Sequence, residues 1–117
     1  MKYMVLMFGT AGEMTEVQSP EWIREMIAFM QGLNQELDDR GELVEARGLT
    51  DESRTVRLRD GVPVFSDGPY AEAKESVIGY WVLDVDSEER LLDITGRIVK
   101  YSDVVEVRAV AEGPPEV

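Results

Sequence analysis

The sequence predicts an α+β sandwich of the ferredoxin-like kind: a βαββαβ protomer with a β-hairpin inserted after its second strand. Three observations lead there. Runs with strand character and runs with helical period follow one another as β-α-β-(hairpin)-β-α-β. The first and third main strand runs are apolar on both faces, as central strands covered on both sides must be. Two helical runs carry one apolar stripe each, enough to cover one face of an antiparallel sheet and leave the other open.

Taken in order, Lys2 to Phe8 has the length of a strand and is closed by Gly9 and Gly12. Met4, Leu6 and Phe8 point to one side; Tyr3, Val5 and Met7 point to the other. Gly9 to Gln18 has no strong period and is expected to be a loop. Ser19-Pro20 opens a helix, with Ser as cap, Pro at the first helical position and Glu21 and Glu25 toward the positive end of the dipole. Apolar residues recur at Ile23, Met26, Ile27, Met30, Leu33 and Leu37, and Gly41 stops the helix. Arg24, Glu25, Gln31, Gln35, Glu36, Asp38 and Asp39 make the opposite face, which reads as solvated.

Glu42 to Leu49 is a second strand, partly alternating. Arg54 to Arg59 and Val62 to Phe65 flank Asp60-Gly61, a strong signal for a type I′ hairpin turn with φ > 0 at both central residues. Pro63 cannot donate to a ladder, which puts this hairpin at an edge. Val77 to Val85 is the third main strand. Ser87 caps a second helix whose buried side reads as Leu91, Ile94, Ile98 with Leu92, Thr95, Val99. Val104 to Val110 is the last strand. Residues 1–112 form one domain, and Gly113-Pro114-Pro115 begins a mobile tail, 113–117.

Composition narrows the chemistry. At 117 residues there is room for one domain. The net charge of -12 repels phosphate backbones and anionic membranes, so neither nucleic acid nor membrane is expected as a partner. There is no cysteine, hence no thiolate nucleophile or Cys-bound zinc, and no histidine, the commonest general base. The apolar run Tyr3 to Phe8 is too short for a signal sequence or a membrane span, and the expected location is cytoplasmic. Carboxylate spacing fits no EF-hand and Gly9-Thr10-Ala11-Gly12 fits no phosphate loop, so no metal or cofactor is expected. Met4, Met7, Met26 and Met30 read as core filler.

The uncovered sheet face needs a partner. A homodimer through that open face is expected; the competing expectation is that the hairpin or the tail folds over it.

The stretch Ser66 to Tyr80 holds three carboxylates, a lysine and two tyrosines, the densest run of reactive groups in the chain. Asp67-Gly68-Pro69-Tyr70, followed by Ala71-Glu72-Ala73-Lys74-Glu75 and Gly79-Tyr80, resembles the DGPF-domain branch of the YCII-related family. The opening Met1-Lys2-Tyr3-Met4, the Ser-Pro-Glu helix start, Val56-Arg57-Leu58-Arg59-Asp60-Gly61 and Val105-Glu106-Val107-Arg108 fit as well, so the likeness covers nearly the whole chain. The resemblance implies a dimeric α+β barrel of ferredoxin-like protomers. It implies little about activity. Some relatives carry a His-Asp pair proposed as an active site, which this histidine-free chain lacks. The motif usually ends in Phe, where this chain has Tyr70. An association of some members with extracytoplasmic-function sigma factors points toward signalling.

The candidate site residues follow from the same stretch. Turn chemistry alone accounts for Asp67-Gly68-Pro69; the functional reading sets the Asp67 carboxylate at the mouth of a cleft as a general base. Glu72 and Glu75 are its candidate companions, with Lys74 to counter their charge, against the simpler reading of a solvated helical turn. Tyr70 and Tyr80 are hydrogen-bond donors to a ligand or packed rings with wet tips. Arg47, on a main strand, is the best anion anchor, since Arg57 and Arg59 read as the outer face of the hairpin. Two functions compete. The favoured one is a non-catalytic dimeric module that binds a small molecule or a protein. The alternative is a cofactor-free enzyme with Asp67 as base on a small polar substrate.

Overall fold

A computed structural model describes residues 1–9, 11–70 and 76–116, apart from the side chains of residues 11 and 13. Its strands are β1 (Lys2–Phe8), β2 (Leu43–Gly48), β3 (Arg54–Arg59), β4 (Val62–Asp67), β5 (Val77–Asp84) and β6 (Val105–Ala109). Its helices are α1 (Ala11–Val17), α2 (Pro20–Asp39) and α3 (Glu88–Ser102). The main sheet has the order β2-β5-β1-β6, and β1 pairs antiparallel with both its neighbours. The two strands expected at the centre are there, and the chain is a ferredoxin-like α+β fold with an inserted hairpin.

Alternation assigns the faces. Val5, Leu83 and Val85 are fully or almost fully buried and pack with Leu37 of α2 and with Ile94 and Ile98 of α3. Both helices therefore cover the Val5 face. Met4, Leu6 and Val82 point the other way and are half-buried by their sheet neighbours. Ser19 accepts from the Trp22 amide and Ser87 from the Arg90 amide, as caps should.

Four details depart from the sequence reading. Residues 11–17 form helix α1, where a loop was expected. Its first turn is held from outside by Asp51, whose Oδ2 accepts from the Gly12 amide at 3.1 Å, and from within by Thr15 Oγ1, which donates to the Gly12 carbonyl at 2.9 Å. A tertiary anchor of this kind leaves no apolar period to read. The buried stripe of α2 also turns toward its aromatics. Ile27 is exposed, whereas Phe29 and Trp22 lie against Tyr101 of α3, with ring centroids 4.8 and 5.6 Å apart. In α3, Leu92 is exposed and does not share the buried side. Glu36, expected on the solvated face, accepts from Arg90 at 3.0 Å and from Arg97 at 3.1 and 2.7 Å.

The hairpin turn forms as expected, with positive φ at Asp60 (49°) and Gly61 (78°). The ladder runs two residues further than the apolar run, to the pair Arg54–Asp67. β3 and β4 form a separate two-stranded sheet. The radius of gyration, 16.6 Å, exceeds the roughly 13 Å of a compact domain near this size.

Candidate functional site

The main sheet and α2 part to leave a cleft of about 210 Å³. Its floor comes from β2 and β5, where Ala46 pairs with Trp81, Arg47 with Tyr80 and Gly48 with Gly79. Its walls are Met26, Met30 and Asn34 of α2, Met14 of α1 and Met7 of β1. The methionines expected as core filler thus divide. Met7 belongs to the buried core and Met30 packs against it, yet both also face the cleft with Met26. Thioether side chains make a soft apolar wall that adapts to a ligand's outline.

Small residues open this space. A Cβ on Gly79 would stand 3.2 Å from the Arg47 carbonyl and 3.9 Å from Met7 Sδ. The buried indole of Trp81 donates its N–H to Asn34 Oδ1 at 2.8 Å, which fixes the ring against α2.

Two polar residues border the cleft in the β2–β5 ladder, and alternation with Ala46 and Trp81 sends their side chains toward the opposite, open face of the sheet. Arg47 is exposed, donates from Nη1 to the Ala46 carbonyl at 3.0 Å and has Nε 3.7 Å from Glu45 Oε1. A weak exposed pair of that length leaves the guanidinium available to an anion. Tyr80 is half-buried, and loss of solvent around its phenol, followed by the nearby Glu45 carboxylate, raises its pKa above the usual 10. The phenol therefore stays protonated at neutral pH and is a hydrogen-bond donor.

The other expected residues lie elsewhere. Asp67 is the last residue of β4, its side chain 99% exposed and its Oδ1 3.8 Å from Arg54 Nε. The Gly68 amide donates to the Ser53 carbonyl at 2.9 Å, and Thr55 Oγ1 donates to the Gly68 carbonyl at 2.8 Å. These bonds close the base of the hairpin and do not enclose Asp67. Tyr70 is exposed, with the Arg57 guanidinium 5.1 Å above its ring, a cation–π contact. The surface hollow beside Asp67 is lined by residues 51–54 and 67–69 and shares no residue with the methionine cleft. Glu72, Lys74 and Glu75 lie outside the described residues. Arg47 and Tyr80 are thus brought together, and Asp67 and Tyr70 belong to the hairpin.

Met14, Asn34, Trp81 and Glu45 were not singled out from sequence. Asn34 carried a faint signal, a polar residue beside Met30 and Leu33 on the apolar side of α2. Met14 carried none, because α1 has no readable period.

A second polar cluster ties the helices to the sheet. Arg90 at the start of α3 donates to Glu42 from Nε at 2.9 Å and from Nη2 at 2.8 Å, to Glu36 at 3.0 Å and to Asp93 at 2.8 Å. Hydrogen bonds from Arg97 and then Arg90 hold Glu36 down at about 2, and those from Arg90 also lower Glu42. These groups pair with one another as a structural clamp, with the buried Nε of Arg97 left without a partner among the described residues.

Fold and cleft together define the class: a ferredoxin-like α+β fold with an apolar cleft beside its sheet. The YCII-related domain matches residues 1–114, and the chain belongs to that family. No curated protein matches the chain. Among the described residues no helix is long and apolar enough to cross a membrane.

Proposed function

We propose that this YCII-related protein is a homodimeric, non-catalytic module that binds a small molecule with an apolar body and an anionic or carbonyl end. One observation carries the reading: Arg47 and Tyr80, opposite each other across β2 and β5, border the same methionine-walled cleft. The thioethers take the apolar body on the helix side of the sheet, and the Arg47 guanidinium and Tyr80 hydroxyl, whose side chains leave the ladder on the other side, take the polar end around the β2 edge. At about 210 Å³ the cleft suits a ligand smaller than a typical drug. The second copy closes over the open sheet face, where Met4, Leu6 and Val82 have no helix above them. A cysteine-free chain suits the reducing cytoplasm, and the family resemblance suggests a regulatory pathway as its setting.

The alternative, a cofactor-free enzyme with Asp67 as general base, needs that carboxylate enclosed beside a substrate, and it is 99% exposed in the single chain. A thermal-shift screen of small carboxylates, phosphates and carbonyl compounds separates the two. Hits that lose their shift with Arg47→Ala and Tyr80→Phe, keep it with Asp67→Asn and are recovered unchanged support the module. Turnover that disappears with Asp67→Asn supports the enzyme.

A further inference from the structure

The hairpin β3–β4 is built like an arm. Strand register puts Val56 opposite Phe65 and Leu58 opposite Pro63, so these four share one face of the ribbon. These four are apolar and uncovered, with the charged pair Arg54–Asp67 at the base of the same face: Val56, Leu58 and Phe65 are 54%, 73% and 70% exposed. The other face carries Arg57 and Arg59 opposite Val64 and Val62. Two strands alone are marginal in water, and an apolar ribbon face left wet is an interaction surface.

The arm does not lie on its own body. Its apolar side chains are exposed, and the molecule is only 19 Å thick along its shortest axis. A helix layer on a sheet already takes about 10 Å between layer axes, which leaves no depth for a third layer. The expectation that the hairpin folds over the open sheet of the same chain is therefore not met.

Charge says what the arm fits. Arg54, Arg57 and Arg59 outnumber Asp60 and Asp67, so residues 54–67 are net +1; the chain total of -12 leaves -13 on the rest. A basic arm on an acidic body is complementary to a second copy of itself, and under a two-fold axis each arm meets the other's body. The second copy also offers the apolar surface the arm needs, its uncovered Met4, Leu6 and Val82 face. A stable pair buries roughly 800 Å² on each side, more than four side chains supply, so the arm adds to the sheet-face contact.

We infer that the β3–β4 hairpin is an exchange arm that lies across a second copy of this chain, its Val56–Leu58–Pro63–Phe65 face against that copy's open sheet. The inference rests on the homodimer reading and is independent of the cleft. It also places Tyr70 and Asp67, at the base of the arm, beside the partner.

Sedimentation velocity across a micromolar dilution series tests it, with the wild-type chain beside the double variant Leu58→Glu with Phe65→Glu. Both side chains are solvent-exposed in the single chain, so the variant should keep the wild-type circular-dichroism spectrum. Self-association weakened about tenfold or more in the variant supports the arm. A wild-type dimer that the variant leaves intact overturns the arm and spares the sheet-face dimer. A wild-type monomer overturns both and leaves the cleft untouched. Should the apolar pair fold poorly, Arg57→Glu with Arg59→Glu removes the charge complementarity without an apolar loss. It is expected to weaken association and its salt dependence, and unchanged association overturns the arm.

Discussion

Arg47 and Tyr80 face each other across β2 and β5, one exposed and one half-buried, on the open face of the sheet whose other side floors the cleft. One offers a permanent charge and the other a neutral donor, held at neighbouring ladder positions by backbone pairing rather than by a flexible loop.

Removing each should therefore weaken binding of a screen hit by a different route. Tyr80→Phe deletes one hydrogen bond and should cost about 0.5–1.5 kcal/mol of binding free energy. Arg47→Ala deletes the ionic partner and should cost more for anionic hits, about 1.5–3 kcal/mol, and little for neutral ones. Isothermal titration reads both. Because the Tyr80 pKa lies above 10, its contribution should stay flat from about pH 6 to 9. An affinity that falls within that range assigns the loss to another group.

The Arg90–Glu42 pair gives an acid-sensitive clamp. Glu36 and Glu42 titrate lower in the folded chain than in the unfolded one, because bonds from Arg97 and Arg90 favour their charged forms. The unfolded chain then binds protons first as pH falls. The Glu36 stabilisation is complete above the ordinary value of 4.5 and is lost as pH falls toward about 2, and that of Glu42 is lost in the same direction. Denaturant unfolding between those limits should show stability dropping. Glu42→Gln should cost about 2–3 kcal/mol at neutral pH, since it leaves a mostly buried guanidinium short of a partner. It should also flatten the acid slope.

Two glycine-to-alanine changes should move stability in opposite directions. At Gly79 the new methyl would sit 3.2 Å from the Arg47 carbonyl, a backbone atom fixed in the ladder. Gly79→Ala should destabilise by about 1–3 kcal/mol and narrow the cleft. Gly96, in α3, has nothing within 4 Å of its would-be Cβ. Gly96→Ala should stabilise by about 0.5–1 kcal/mol through helix propensity. Thermal melts of the two side by side check the contrast.

Much of the fold was legible because the strands and long helices declare themselves by period. β1 and β5 are apolar on both faces, and Asp60-Gly61 marks its turn by the backbone it requires. The site was legible only in part. Arg47 and Tyr80 could be singled out one by one, but their register depends on a shift between Leu43 and Glu45 in the β2–β5 ladder, which no local pattern encodes. Met14 was hidden because α1 is anchored by Asp51 from a distant loop. The Asp67 turn drew attention by its chemistry, yet ladder pairing with Arg54 carries its carboxylate into solvent. Glu36 looked solvated because its partners lie on another helix, more than fifty residues along the chain.

The cleft itself can be read through its methionines. Met7, Met14, Met26 and Met30 line it; Met1 and Met4 do not. Chemical-shift mapping of ¹³C-methyl-labelled methionine, with a hit from the thermal-shift screen titrated in, tests the proposed function most directly. We expect the four cleft methyls to move together and saturably, with Met1 and Met4 unchanged at constant protein concentration. Shifts confined to Met4, or a bound ligand that leaves all four cleft methyls in place, would contradict it.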